Sequence, residues 1–240
     1  MRPVISFDYW DTLYAGAALP ERVARRRAAL RRMLDALGAA VPDETLAALY
    51  EASGEEAERW WREEHRGYTT EERIRWILAR LGIERPAGCE HVRLVCAAVD
   101  DVLVELPPPL LPGAGDMVRA LAVRHELAII SDTGFASGRA QDRLLERDGL
   151  LHHFRARVYS MDIGHAKPRP EPFAAAARAL GVPPERVIHV GDNERTDVRG
   201  ALDAGMRAIR LDIVHRRGAS AAELVARSYD ELLEYLADAA

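Results

Sequence analysis

"VIHVGDNERTDVRGALDAGM", residues 187–206, decides the fold class. Val187–Val190 is short, mostly apolar and of strand length; Gly191–Asp192 follows at its carboxyl end, and Asp197–Ala204 reads as a helix stopped by Gly205. A further apolar run, Ala208–Leu211, comes next. Strand, helix and strand in this order build a parallel sheet covered by helices.

Outward from this unit, the same kind of short apolar run recurs at Val4–Phe7, Leu127–Ile130 and Arg157–Tyr159. None alternates strictly with polar residues, as expected of strands buried on both faces. Glu171–Leu180, between Pro170 and Gly181, is one connecting helix, and Ala221–Ala237 reads as a closing helix. The expectation is an α/β fold with a doubly wound parallel sheet.

The interval from Ala15 to Leu110 is too long for one crossover and reads as all-helical. Its helices span Glu21–Leu37, Pro42–His65, a stretch from Thr69 to Gly82 with capping-box spacing to Glu72, and Glu90–Glu105. The proline-rich "LPPPLLPG", residues 106–113, is a stiff return path. The expected division is a core of residues 1–14 and 111–240 and an inserted helical domain of residues 15–110.

The 240 residues suffice for one good core with a smaller accessory domain. A net charge of −5 with both signs dispersed gives no nucleic-acid-binding stripe. No apolar run approaches the roughly 18 to 20 residues of a membrane span, and the first residues lack signal-peptide character. Cys89 and Cys96 have no partnering His or Cys cluster and read as buried thiols, so a cytoplasmic location is expected. Among 33 basic residues the single lysine is Lys167. Where every other cation is arginine, one compact ammonium points to a task that a planar guanidinium cannot perform.

Ligands in such sheets bind beyond the carboxyl ends of the strands. Those ends carry Asp8, then Ser131–Asp132–Thr133, then Gly191–Asp192 followed by Asp197, with Lys167 in the loop after Tyr159. Carboxylates suit Mg²⁺, hydroxyl and ammonium donors suit phosphate oxygens, and a carboxylate can attack phosphorus.

These stretches resemble the four motifs of the haloacid dehalogenase superfamily with a helical type 1 cap. "FDYWDTL" resembles the first motif, "LAIISDTG" the second, "HAKPRPEPF" the third, and the opening stretch the fourth. The resemblance implies a Rossmann-like core, Asp8 as nucleophile, and Mg²⁺ held by Asp8, the Trp10 backbone carbonyl and Asp192, with Asp197 in support. It further implies Ser131 and Thr133 on the phosphoryl side and Lys167 between nucleophile and phosphate. The expected partner is a small phosphorylated molecule; the oligomeric state stays open. "HRGYTT", residues 65–70, lies where family members present specificity residues, so Arg66 and Tyr68 are candidate substrate contacts. Trp60, Trp61 and Trp76 read as helix packing, and His152, His153 and His165 as surface or packing residues.

One position departs from the family's phosphatases. They carry a second Asp, the general acid and base, where this chain has Trp10, and a Gly where it has Asp11. Loss of a general acid costs about 10²- to 10⁴-fold in rate. Asp11 is the candidate substitute. The alternatives are a dehalogenase-like C–X hydrolase that needs no metal, and a weakly catalytic or non-catalytic phosphate-binding protein.

Overall fold

The computed structural model describes residues 3–16 and 19–238. The outermost residues of the expected divisions (1–2, 17–18 and 239–240) lie outside these. Six strands, β1 (Val4–Phe7), β2 (Leu127–Ser131), β3 (Phe154–Tyr159), β4 (Val187–Gly191), β5 (Arg207–Leu211) and β6 (Leu224–Ala226), form one sheet. Every pairing is parallel, in the order β3-β2-β1-β4-β5-β6. Connections run one way from β1 and then the other, so the crevice beyond β1 and β4 is the switch point where a ligand site is expected.

Side-chain alternation sends each strand to two separate cores. Ile5, Phe7, Leu127, Ile129, Ile188 and Val190 enter one, and Val4, Ala128, Ile130, Val187 and Ala208 enter the other. Covering both faces explains why β1, β2 and β4 are buried at every position.

Helices α1 (Pro20–Ala36), α2 (Asp43–Arg62), α3 (Thr70–Arg80) and α4 (Glu90–Glu105) fill the long interval after β1. Thr69 caps α3 as its spacing predicts: its hydroxyl accepts from the Glu72 N–H at 3.1 Å, and Glu72 accepts from the Thr69 N–H at 2.7 Å. The chain leaves and re-enters the sheet layer through one paired neck. The Ala15 N–H donates to the Pro109 carbonyl at 3.0 Å, and the Leu111 N–H to the Leu13 carbonyl at 2.8 Å. Then come α5 (Ala114–Ala122), α6 (Gly138–Arg147), α7 (Ser160–Ile163), α8 (Pro170–Leu180), a π-helical turn (Glu194–Arg199) continuing into α9 (Gly200–Asp203), and α10 (Tyr229–Asp238).

Three expectations change. Ala221–Ala237 is not one helix: Leu224–Ala226 pairs with β5 as a sixth strand, and the helix begins only at Tyr229. The open edge of β5 offers these helix-compatible residues backbone partners, and tertiary pairing overrides local propensity. β3 starts at Phe154 rather than Arg157, because it is an edge strand with Arg155 and Arg157 turned outward. The two cysteines are free but only half-buried.

Candidate active site

Asp8 lies one residue beyond β1, its N–H bonded to the Val190 carbonyl of β4 at 2.8 Å. Lys167, almost fully buried, donates from Nζ to Asp8 Oδ1 at 2.7 Å and to Asp197 Oδ1 at 2.6 Å. The other Asp197 oxygen accepts the Asn193 N–H at 2.9 Å. Gly191 is what lets Asp197 come so close, since a Cβ there would stand 2.4 Å from its Cγ. Behind them, His189 Nε2 is 3.4 Å from Asp197 and its Nδ1 is 2.9 Å from the Ser6 hydroxyl.

Asp8, Asp192 and Asp197 each bring a carboxylate oxygen within 4.8 Å of the others. Burial pushes the Asp8 carboxyl well up, and the charges of Asp197 and Asp192 add to this against the pull of Lys167. Burial raises Asp192 from 3.8 to about 6, with Asp197 adding and Arg217 opposing. Burial acts upward on Asp197 too, but Lys167 and His189 outweigh it and hold that carboxyl well below the usual range. Lys167 responds in kind: burial favours its neutral form, yet Asp197, Asp8 and Asp132 together raise it above the ordinary lysine value. Lys167 pairs with Asp8 and Asp197, and the partly exposed Arg217 pairs with Asp192 at 2.9 Å, so three acids face two cations; closely set carboxylates of this kind fit Mg²⁺.

The carboxyl end of β2 also carries an unsatisfied group. The Ser131 hydroxyl is buried without a hydrogen-bond partner among the described residues, as a donor awaiting a ligand would be. Thr133 is buried beside Ser160, its N–H 3.1 Å from the Ser160 hydroxyl. Asp8, Trp10, Asp11, Thr133, Lys167 and Asp192 line a cavity of about 640 Å³, with Trp61, Arg66 and Tyr68 from the helical insertion on its other wall. Ser131 and Asp197 are not among the residues that line it.

The helical stretch between β1 and β2 is seated directly on the loops that carry these residues. The Gly67 N–H donates to the Gly164 carbonyl at 3.1 Å, and the Ala166 N–H, just before Lys167, donates to the His65 carbonyl at 3.0 Å. Only glycine fits at 67, where a Cβ would come 1.8 Å from the Ser160 carbonyl oxygen. The Trp61 indole N–H reaches Asp132 at 2.8 Å, and the other Asp132 oxygen accepts the Lys167 N–H at 3.1 Å. Trp61 is therefore a cavity wall and a polar contact, not simply helix packing. Trp60 packs as expected, between Tyr68 and the Arg66 guanidinium 4.5 Å above its ring. Arg66 is also paired with Glu72 at 2.6 Å.

Asp11 adopts φ +53°, uncommon for a residue with a side chain, and is held by the Gly16 N–H at 2.7 Å and His215 Nε2 at 2.9 Å. The Trp10 ring lies edge-on to Tyr9, 4.9 Å between centroids. Asp132 stands among the expected strand-end residues without a role of its own, and three further contributors escape the sequence: Trp61, His215 and Arg217. The last two lie in a polar loop beyond β5, where the rule about strand ends offers the one available signal.

Residues 3–205 match the haloacid dehalogenase-like hydrolase family. The chain belongs to that family. A glyceraldehyde 3-phosphate phosphatase of Methanopyrus kandleri is 32% identical over 91% of this chain and 85% of its own. A phosphoserine phosphatase of Thermus thermophilus is 40% identical over 43% of this chain and 41% of its own. Among solved structures, a 2-haloacid dehalogenase from Pseudomonas syringae superposes over the whole of both chains with TM-score 0.70 at 25% identity. The haloacid dehalogenase-like core thus accounts for the parallel sheet and the placing of four acids and one lysine at its carboxyl edge. This member is a hydrolase, and no helix among its described residues is long and apolar enough to cross a membrane.

Proposed function

We propose that this haloacid dehalogenase-like hydrolase is a Mg²⁺-dependent phosphatase of small phosphorylated molecules. The observation that carries the reading is the charge-deficient cluster of Asp8, Asp192 and Asp197 around Lys167. The phosphatase relatives, of glyceraldehyde 3-phosphate and of phosphoserine, support the substrate class. Residues 15–110 act as the cap, and Arg66 and Tyr68, on the cavity wall, contribute to substrate choice.

Asp8 attacks phosphorus, the bond to the leaving oxygen breaks, and an aspartyl phosphate forms. Lys167 holds the Asp8 carboxylate in place and offsets the negative charge gathered there; Ser131 and Thr133 donate to the phosphoryl oxygens. Mg²⁺, held by Asp8, Asp192, Asp197 and the Trp10 backbone carbonyl, would polarise a phosphoryl oxygen. Asp11 takes the place of the missing acid: it gives its proton to the leaving oxygen, then accepts one from the water that hydrolyses the acyl phosphate. Its turn geometry and its anchors at Gly16 and His215 keep that carboxyl on the cavity wall.

The test is phosphate release from a panel of phosphorylated metabolites, with Mg²⁺ or with chelator. Release that needs Mg²⁺ and vanishes in Asp8→Asn is expected. The likeness to a 2-haloacid dehalogenase, together with Trp10, favours a second reading, metal-free cleavage of a carbon–halogen bond. Halide release in chelator would establish it. An aspartyl phosphate that forms once and does not turn over would mark a phosphate-binding protein instead.

A further inference from the structure

The segment between β5 and β6 is folded onto the site by a buried arginine. Arg210, 1% exposed, donates to both oxygens of Asp212, at 2.8 and 3.1 Å, and to Glu194 at 3.1 Å. Its remaining hydrogen bonds go to three successive backbone carbonyls, of Arg217 (3.2 Å), Gly218 (2.6 Å) and Ala219 (3.2 Å). Glu194, in the turn between Asp192 and Asp197, also accepts from the Ser220 hydroxyl at 2.6 Å and the Ala221 N–H at 3.0 Å. So many fixed contacts make residues 213–220 a strap with defined geometry, not a wandering loop. It presents two side chains to the site: His215 on Asp11, and Arg217 with Nη2 2.9 Å from Asp192 Oδ2.

We infer that Arg217 is a resident counter-cation of Asp192, which a divalent metal must displace to bind. The inference rests on the metal-dependent reading above. Among the described residues the ion pairs of Lys167 are with Asp8 and Asp197, and that of Asp192 is with Arg217, so the strap covers the acid of the cluster that Lys167 does not bond. A guanidinium and a divalent ion within reach of the same carboxylate repel each other and compete for its oxygens. Arg217 is about one-third exposed and has cavity space beside it, so it can swing away while Arg210 keeps the strap backbone in place. The arrangement sets a threshold: below a certain metal concentration Asp192 stays capped by the chain's own arginine.

Direct metal binding to the intact protein tests this, with Mn²⁺ followed by electron paramagnetic resonance and Mg²⁺ by calorimetry. Arg217→Ala and the better size-matched Arg217→Gln should each bind Mn²⁺ at least about fivefold more tightly than the parent. Asp192→Ala should bind far more weakly. Unchanged or weaker binding by both Arg217 variants, with the parent binding and Asp192→Ala failing, overturns the strap's role and leaves the metal site standing. Equal tightening in His215→Ala would assign the effect to a loosened strap and overturn it as well. If neither the parent nor any variant binds metal, both readings fall.

Discussion

Replacing Asp192 with Asn should stabilise the metal-free protein and destabilise it, relative to the parent, once Mg²⁺ is added. Asp192 is buried, and its carboxyl is raised from 3.8 to about 6, burial being the largest cause. A raised acid means that the folded chain holds its proton more tightly than the unfolded one. The contribution of this one group to stability is therefore most favourable at low pH, falls as pH rises from about 4 to 6, and stays reduced above 6. At about 1.4 kcal/mol per tenfold change in affinity, the ionised group costs roughly 3 kcal/mol at pH 7.5. Asparagine removes that cost, in which the opposing pull of Arg217 is already included. The gain of about 3 kcal/mol raises Tm by about 6–12 °C for a chain of this size. Thermal melts in chelator at pH 7.5 and pH 4.5 check it, with the gap closing at the lower pH. Mg²⁺ at about 1,000 times Kd adds about 4.1 kcal/mol to the parent and much less to the variant, which reverses the order. A variant that melts below the parent in chelator, or that gains equally from Mg²⁺, refutes the reasoning.

Other expectations follow from the same geometry. If Asp11 protonates the leaving oxygen, rates on a series of aryl phosphates should depend weakly on leaving-group pKa in the parent and steeply in Asp11→Asn; an unchanged shallow slope removes Asp11 from the role. Lys167→Arg should lose nearly as much activity as Lys167→Ala, because Nζ sits between two carboxylates at 2.6 and 2.7 Å and a planar fork does not fit there. Recovery of most of the rate in the arginine variant would show that any cation serves. Trp61→Phe keeps the ring and loses the indole N–H on Asp132, so kcat should fall several-fold with Tm within about 2 °C of the parent; unchanged kcat would make Trp61 a wall and nothing more.

What could be read from the sequence was whatever lies at the end of a strand. Asp8, Ser131, Lys167, Asp192 and Asp197 converge because parallel strands deliver their carboxyl ends to one edge, and a short, mostly apolar run with a polar residue at its end is visible one-dimensionally. Lys167 had a compositional signal as well. What could not be read depends on contacts between distant segments. Leu224–Ala226 becomes a strand because β5 has a free edge, and Trp61 becomes polar in use because Asp132 stands 71 residues further on. Arg210 reads as one arginine among 32, yet it is among the largest fully buried side chains and shapes the strap. Its place in the run Ala208–Leu211 is compatible with burial, but its partners are hidden in the sequence, being backbone carbonyls and acids brought in by the loop.

The central claim, that Asp8 is the nucleophile, is tested most directly by catching the bond it forms. Protein mixed with an aryl phosphate and Mg²⁺, quenched in acid within milliseconds and digested, should yield a peptide containing Asp8 that is heavier by one phosphoryl group, about 80 Da, and that loses it in hydroxylamine. The adduct should be absent from Asp8→Asn and from chelator-treated protein. Phosphate release at the parental rate from Asp8→Asn, with no labelled peptide at any time point, would contradict the account.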